Sequence, residues 1–567
     1  MRWDFDGPLT EKYGRLTAFD PSLYSYDTSS NTITNSGLEI AGNNATFATA
    51  GASDSLLQKH QWGFAPRIGL AWSPKPKLTV RAGFGIYYDR GELFSDFSPS
   101  AGFGFNGPLG VTLQEPFVSA GFATKGATLA APFGTTALAA PPADAAAFQA
   151  LLPNLAQTTS GSYPTGNAFG PFLMGGYNIG NKLPYTVNWT FDLQYQLSNS
   201  WLFSAGYVGN HGVHEILPIP FNQPGIATPQ NPINGQIYSY GGVSPLSGCN
   251  DGVLDLEQIC PGPEYSGNAP VRVPYIGYDM NSVLYTADGI SNYNALQLQA
   301  RKRLSSGLQF TASYTWSHSL DEQSGLGLFF TGNNPLDPRS NYASSDFDQT
   351  HVFLINISYT IPKLTTNPSL GYFLNGWTIG SQIVAQSGQP YSVYDFSGSV
   401  ASQYYGSSDY ITNPIVPMVA GVSAKQAELQ GTTGVNAGQP VLNAADFGPQ
   451  FLAPGQGGVP PCDATGCDLY ESLYSTTGRN LFRAPFQFRI DTTLAKEFQI
   501  RERFRLRFNF DAFNLFNHPN FDAPNNDVDF FPGYEGPPTI PPAGSLGMIQ
   551  HTIGSPRFLQ MDLHLSF

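Results

Sequence analysis

Apolar and polar residues alternate with a period of two along much of this chain. The clearest run is the last one. Leu559, Met561, Leu563, Leu565 and Phe567 share one parity, and Gln560, Asp562, His564 and Ser566 share the other. Successive side chains of a strand point to opposite faces, so such a run predicts a β-strand with one apolar and one polar face. The pattern recurs upstream. Leu78, Val80, Ala82, Phe84, Ile86 and Tyr88 alternate with Thr79, Arg81, Gly83, Gly85 and Tyr87. Val187, Trp189, Phe191, Leu193, Tyr195 and Leu197 alternate with Asn188, Thr190, Asp192, Gln194 and Gln196. Leu308, Phe310, Ala312, Tyr314 and Trp316 do the same against Gln309, Thr311, Ser313, Thr315 and Ser317. Strands are predicted over 64–72, 78–88, 183–197, 201–209, 292–304, 308–318, 347–361, 373–386, 486–498, 503–516 and 558–567. Residues 1–5 read as the tail of another, which makes about 12.

The connections fall into two classes. Those at 74–77, 198–200, 305–307, 362–372 and 499–502 are short. Those at 89–182, 210–290, 319–346, 387–484 and 517–555 are long. Short turns at one end and long loops at the other predict an all-β, antiparallel up-and-down transmembrane barrel. In that class the short turns are periplasmic and the long loops extracellular, which places the C-terminus in the periplasm. A soluble sandwich would also alternate, but its buried faces would carry Val, Ile and Leu. Here the apolar parity is heavy in Phe, Tyr and Trp, as interfacial girdles require. Within the first long loop, Asp144 followed by Ala145–Leu152 and Pro153 predicts a short capped helix.

Composition agrees with this reading. Charged residues are 12% and aromatic residues 14%, and the 61 Gly and 46 Pro suit turns and long loops. The formal charge of −14 lacks the basic footprint that nucleic acid needs. No run of 18 apolar residues predicts a spanning helix, whereas barrel strands cross with only ~9–11 residues. The segment Met1-Arg2-Trp3-Asp4-Phe5-Asp6 has no apolar signal-peptide core, which leads us to expect an N-terminally truncated piece of an exported protein. In such a protein Cys249 with Cys260, and Cys462 with Cys467, read as two local loop disulfides. Neither spacing is typical of a zinc site.

Three segments resemble a known family. They are Gly478-Arg479-Asn480-Leu481-Phe482-Arg483, then Phe488-Arg489-Ile490-Asp491-Thr492-Thr493-Leu494-Ala495-Lys496-Glu497-Phe498, then Phe508 through Phe521 with Asn514-Leu515-Phe516-Asn517 at its centre. These resemble the C-terminal region of TonB-dependent receptors, and among them the Oar-like barrels. Phe64–Trp72, Tyr293–Gln297 and Arg557–Met561 fit the same group. The resemblance implies a barrel of about 22 strands, a plug and a Ton box. The sequence shows only about 12 strands and nothing that reads as plug or Ton box. The expectation is therefore the C-terminal part of such a barrel, in the outer membrane of a Gram-negative-type bacterium. TonB would be a partner only through a plug outside this sequence. The barrel-assembly machinery would read the terminal strand ending in Phe567, and outer-membrane lipid would surround the wall.

Candidate chemistry is sparse. His211, His214 and Glu215 cluster near a strand end, but not at helical spacing, and read as a polar loop entrance rather than a metal site. Asp522, Asp527 and Asp529 lie in a turn-like stretch that lacks the glycine and terminal glutamate of a calcium loop. Arg503, Arg505 and Arg507, with Arg489 and Asp491 on the next strand, form a charged strip expected to face the lumen and to pair across strands. No catalytic arrangement, cofactor motif or metal set is recognisable, so no enzyme is expected. The functional expectation is a receptor-type barrel taking part in substrate uptake. A passive pore and a surface adhesion barrel remain the alternatives.

Overall fold

The computed structural model describes residues 2–5, 16–57, 62–89, 175–223, 273–325, 337–394, 415–447, 477–526 and 546–567, a few scattered positions within these ranges excepted. All four cysteines, the predicted helix at 145–152, and Asp527 and Asp529 lie outside the described residues.

Eleven strands run in sequence order through one antiparallel sheet. They are β1 (Arg67–Lys75), β2 (Leu78–Tyr88), β3 (Tyr185–Ser198), β4 (Trp201–Pro220), β5 (Val283–Ser305), β6 (Leu308–Asp321), β7 (His351–Thr360), β8 (Trp377–Gln386), β9 (Gln487–Arg501), β10 (Phe504–Phe513) and β11 (Phe558–Ser566). Each pairs with the next, as an up-and-down meander requires. Two short strands, Gly175–Tyr177 and Ala343–Ser344, join the same sheet at its long-loop end.

Register fixes the faces. Residues directly opposite one another share a side. One such row runs Leu298, Tyr314, Phe353, Ala385 and Phe488, and another Ile379, Leu494, Phe510 and Met561. The apolar parity of every strand is therefore collected on one side of the sheet. The other side gathers rows such as Arg81 with Asp192, and Asn509 with Asp562. The apolar side is open: Ile68, Leu70, Trp72, Met561 and Leu563 are each more than half exposed. An apolar surface of that extent fits lipid and not water. Among the described residues no helix is long and apolar enough to cross a membrane.

Several boundaries differ from the sequence expectation. Residues 2–5 do not join the eleven-strand path; they pair with Trp62–Ala65 in a separate ribbon. Pro66 separates that segment from β1, because a proline cannot donate to a ladder. Trp3, Phe5, Trp62 and Phe64 cluster on the ribbon, with ring centroids as close as 4.5 Å. Among the described residues β11 pairs only with β10, so the sheet is open.

β4 and β5 are 20 and 23 residues long, where loops were expected from 210 and up to 290. They continue well past the ~9–11 residues a crossing needs. A bulge at His214, with φ of 59°, re-aims the pair before Ile216–Pro220 resumes against Val283–Ala287. The connection expected at 362–372 holds a helix, α1 (Pro368–Leu374). Asn367 caps it by accepting from the Ser369 and Leu370 amides, and Pro368 occupies its first turn. β8 consequently starts at Trp377 and not at 373.

The long connections fold back on themselves above the sheet. One unit packs Phe19, Leu38, Tyr278 and Leu284 with Tyr24, Phe221 and Tyr275. Phe19 stacks on Phe221 at 4.6 Å, and Tyr278 donates to the Ser36 carbonyl at 2.6 Å. A second unit packs Tyr391, Val393, Val416, Leu442, Phe447, Phe482 and Leu546. These loops carry their own small cores, which is how a long connection keeps one conformation.

Candidate functional site

The long-loop rim is built around the segment Gly478–Arg483. Arg479 is buried, and its five N–H groups all find acceptors. Nε donates to the Asn341 carbonyl at 3.3 Å. Nη1 donates to Ser324 Oγ at 3.3 Å and Asp346 Oδ1 at 3.1 Å. Nη2 donates to the Asp321 carbonyl at 2.9 Å and to its carboxylate. Four residues on, Arg483 pairs with the Asp348 carboxylate and donates to the Asp348 carbonyl at 3.1 Å. Asp348 also accepts the Ser319 amide at 2.7 Å and faces His318 Nδ1 at 3.3 Å.

Asn480 sits between the two arginines with φ of 58°, a conformation asparagine tolerates better than most residues. Its side chain donates to the Ser344 carbonyl and to Asp346, each at 2.7 Å. Its amide donates to Ser392 Oγ at 2.7 Å. One six-residue stretch thus ties the end of β6, the 337–348 loop and the start of the 387–394 loop together. Asp321, Asp346 and Asp348 were not singled out in the sequence. Their only signal was polarity at a strand end.

The Asn514-Leu515-Phe516-Asn517 element has a structural account. Asn514 and Asn517 both adopt positive φ, 48° and 51°. Asn514 donates its amide to Asp491 Oδ1 at 2.8 Å and accepts the His518 amide at 2.9 Å. Asn517 Oδ1 accepts the Arg557 amide at 2.9 Å. The turn therefore locks the top of β10 to β9 and to the approach of β11.

The charged strip divides. Arg505 and Arg507 lie on the polar face of β10, and Arg505 pairs across strands with Glu497 at 3.4 Å. Arg507 donates to Asn509 at 3.0 Å. Arg489 and Asp491 pair along β9 at 2.8 Å. Arg503 falls in the turn before β10.

His211, His214 and Glu215 are drawn into local structure. His211 Nδ1 lies 2.8 Å from the Ser291 carbonyl, and Glu215 accepts from Ser291 Oγ at 2.8 Å. Asp522 accepts the Ala523 amide at 2.7 Å in a turn. Among the described residues no group of His, Cys, Asp or Glu is placed to hold a metal ion.

Glu322, just past the end of β6, is buried. One carboxylate oxygen accepts the Ile290 amide at 3.0 Å, and the other has no partner among the described residues. Burial pushes its pKa up, Asp288 and Glu215 push the same way, and the Ile290 amide and Arg339 oppose them.

An open meander with one lipid-compatible face, and long loops gathered at one end, defines an outer-membrane-type β-barrel wall. The chain belongs to the outer membrane beta barrel domain family, whose profile matches residues 1–560. No curated protein sequence matches it. Among solved structures it is similar to a mutant of the ferric enterobactin receptor of Pseudomonas aeruginosa, with 11% identity and a TM-score of 0.33, covering 89% of this chain and 40% of that one. It is similar to the ferric citrate transporter FecA in its unliganded form, at 10% and 0.32, covering 96% and 40%. It is also similar to the ferric-catecholate import receptor Fiu from K12 E. coli, at 9% and 0.31, covering 93% and 40%. The chain spans about two fifths of the length of these proteins.

Proposed function

We propose that this chain forms wall and outer rim of a TonB-dependent-receptor-like barrel that takes part in substrate uptake across the outer membrane. The observation that carries the reading is the rim. Every long connection leaves the sheet at the same end, and Arg479 and Arg483 bind two of these connections into one folded surface. A rim organised by buried ion pairs suits a capture surface, which needs its loops held in place. Of the family-like segments, 478–483 lies in that rim and Asn514–Asn517 forms the turn that follows β10.

In this reading the short turns and Phe567 face the periplasm, and the long loops face the medium. The polar face with Arg489, Asp491, Arg505 and Arg507 lines the lumen. Cys249 with Cys260, and Cys462 with Cys467, staple loops. TonB is a partner only if a plug outside this sequence exists, and the barrel-assembly machinery engages the terminal strand.

The test is uptake of ferric siderophores, cobalamin and oligosaccharides by native cells with and without the gene, in the presence and absence of a protonophore. Gene-dependent uptake abolished by the protonophore supports the proposal. Uptake that persists under the protonophore, with liposomes leaking small solutes, establishes a passive pore instead.

A further inference from the structure

Two lysines stand on the apolar face, where charge is rare and costly. Lys302 of β5 lies directly between Trp201 of β4 and Phe310 of β6. Lys496 of β9 lies directly between Trp377 of β8 and Phe508 of β10. The same Trp–Lys–Phe row therefore occurs twice, each time at the short-turn end of its strands.

Both side chains are folded down along the sheet; Lys302 is 8% exposed and Lys496 3%. Lys302 Nζ donates to the Ser305 carbonyl at 3.2 Å and to the Ser305 hydroxyl, 5.7 Å from the Trp201 ring. Lys496 Nζ donates to the Tyr372 and Asn375 carbonyls at 2.6 and 2.7 Å. That connection, which carries α1, closes over it. An ammonium has three N–H groups, so each retains one. Neither has a carboxylate within 4.0 Å among the described residues. A buried cation is ordinarily paired, and here the described residues supply no anion.

At Lys302 there is also a place for an apolar body. A groove of about 390 Å³ lies on the same face, floored by Ala205, Ala300 and Ala312 and walled by residues including Tyr195, Phe203 and Phe353. That volume is within the ~300–1,000 Å³ of small-molecule sites. Ala300 is two positions from Lys302, and Phe203 two from Trp201, which places the groove ~7 Å from the lysine row along the strands. Three adjacent alanines among aromatic neighbours make a channel that runs away from the cation toward the middle of the wall.

We propose that this groove and Lys302 form a lipid site. An acyl chain lies over Ala205, Ala300 and Ala312, and the phosphodiester of an anionic phospholipid takes the remaining N–H of Lys302 between Trp201 and Phe310. The occupant follows from the placement: a bilayer-facing apolar groove ending at a cation with no counter-charge among the described residues. Assigning the lipid to the periplasmic leaflet rests on the orientation proposed above. Lipid retention by purified protein does not depend on that orientation, so the two can fail separately.

The experiment is native mass spectrometry of the full chain, purified from outer membranes and exchanged into detergent with phosphatidylglycerol, phosphatidylcholine or inorganic phosphate. The wild type retains one phosphatidylglycerol, at about fivefold lower lipid concentration than phosphatidylcholine, and inorganic phosphate does not displace it. Lys302→Gln removes that preference. Ala312→Phe fills the groove, keeps the lysine and lowers retention of both lipids, so it decides the matter if Lys302→Gln does not assemble. Lys496→Gln leaves retention unchanged. Equal retention of the two lipids by the wild type, unchanged retention in Ala312→Phe, or an equal loss in Lys496→Gln would each overturn the proposal.

Discussion

Truncating Arg479 to alanine tests the rim directly. The substitution removes five hydrogen bonds, but these are not equal. Asp346 has a largely exposed side chain, 62% accessible, so its pairing with Arg479 is worth ~0–1 kcal/mol. Asp321 is 8% accessible, and without Arg479 its carboxylate keeps, among the described residues, only Ser324 Oγ, at 2.9 and 3.0 Å. Breaking such a buried pair costs ~3–5 kcal/mol, most of it the charge left behind. That cost falls on the rim and not on the sheet, because no wall strand gains its ladder bonds through Arg479. The expected outcome is local opening. Hydrogen exchange read by mass spectrometry should show amides in 388–394 and 477–484 exchanging about a hundredfold or more faster, with β9 and β10 unchanged. Asp346→Ala should have a much smaller effect. Arg479→Lys should fall between, since it keeps the charge but loses the planar fork. Exchange unchanged in Arg479→Ala, or an equally large effect from Asp346→Ala, would refute the reasoning.

Three further outcomes follow from the same contacts. Asn514→Ala loses the side-chain bonds to His518 and Ser555 and places a side chain that disfavours positive φ at the turn, so it should lower stability by ~1–3 kcal/mol in denaturant titration; Asn514→Gly should recover the backbone part alone. Glu322 has a raised pKa in the folded state, so its contribution is present below the unfolded value near 4.5 and is lost as pH rises through the folded value. Rim protection should therefore decline as pH rises above about 4. Glu322→Gln, which keeps the acceptor for Ile290, should flatten that decline, and an unchanged slope counts against it. Tyr278→Phe deletes the bond to the Ser36 carbonyl and leaves that oxygen to be resolvated, so the first loop unit should lose ~1 kcal/mol in exchange-derived stability, with no change in the Arg479 unit.

The sheet was legible because its signal is local. A period of two states which residues share a face, and eleven of the expected strands lie on one continuous path. The errors sit where a second signal competes. Pro218 and Pro220 read as a loop, yet they pair with Tyr285 and Val283 in a strand extension that rises beyond the crossing. Helix α1 was missed because Pro362 and Pro368 suggested a turn, although Asn367-Pro368 is a helix-start signature. The rim pairs could not be read from spacing: Arg479 and Asp321 are 158 residues apart. Lys302 was readable in part, since it occupies an outward position in the run Leu298, Ala300, Lys302. What could not be read was the groove beside it, which five strands build together.

The central claim is that an outer-membrane wall carries its short turns on one side and its folded loops on the other. An epitope inserted after Gly431, in an exposed stretch of the long-loop rim, and one inserted after Lys363, in the connection carrying α1, address it with one antibody. The account predicts that intact cells bind the antibody through the first insertion only, and through the second only after the outer membrane is permeabilised. Binding of intact cells through the insertion after Lys363, with none through the insertion after Gly431, would contradict it.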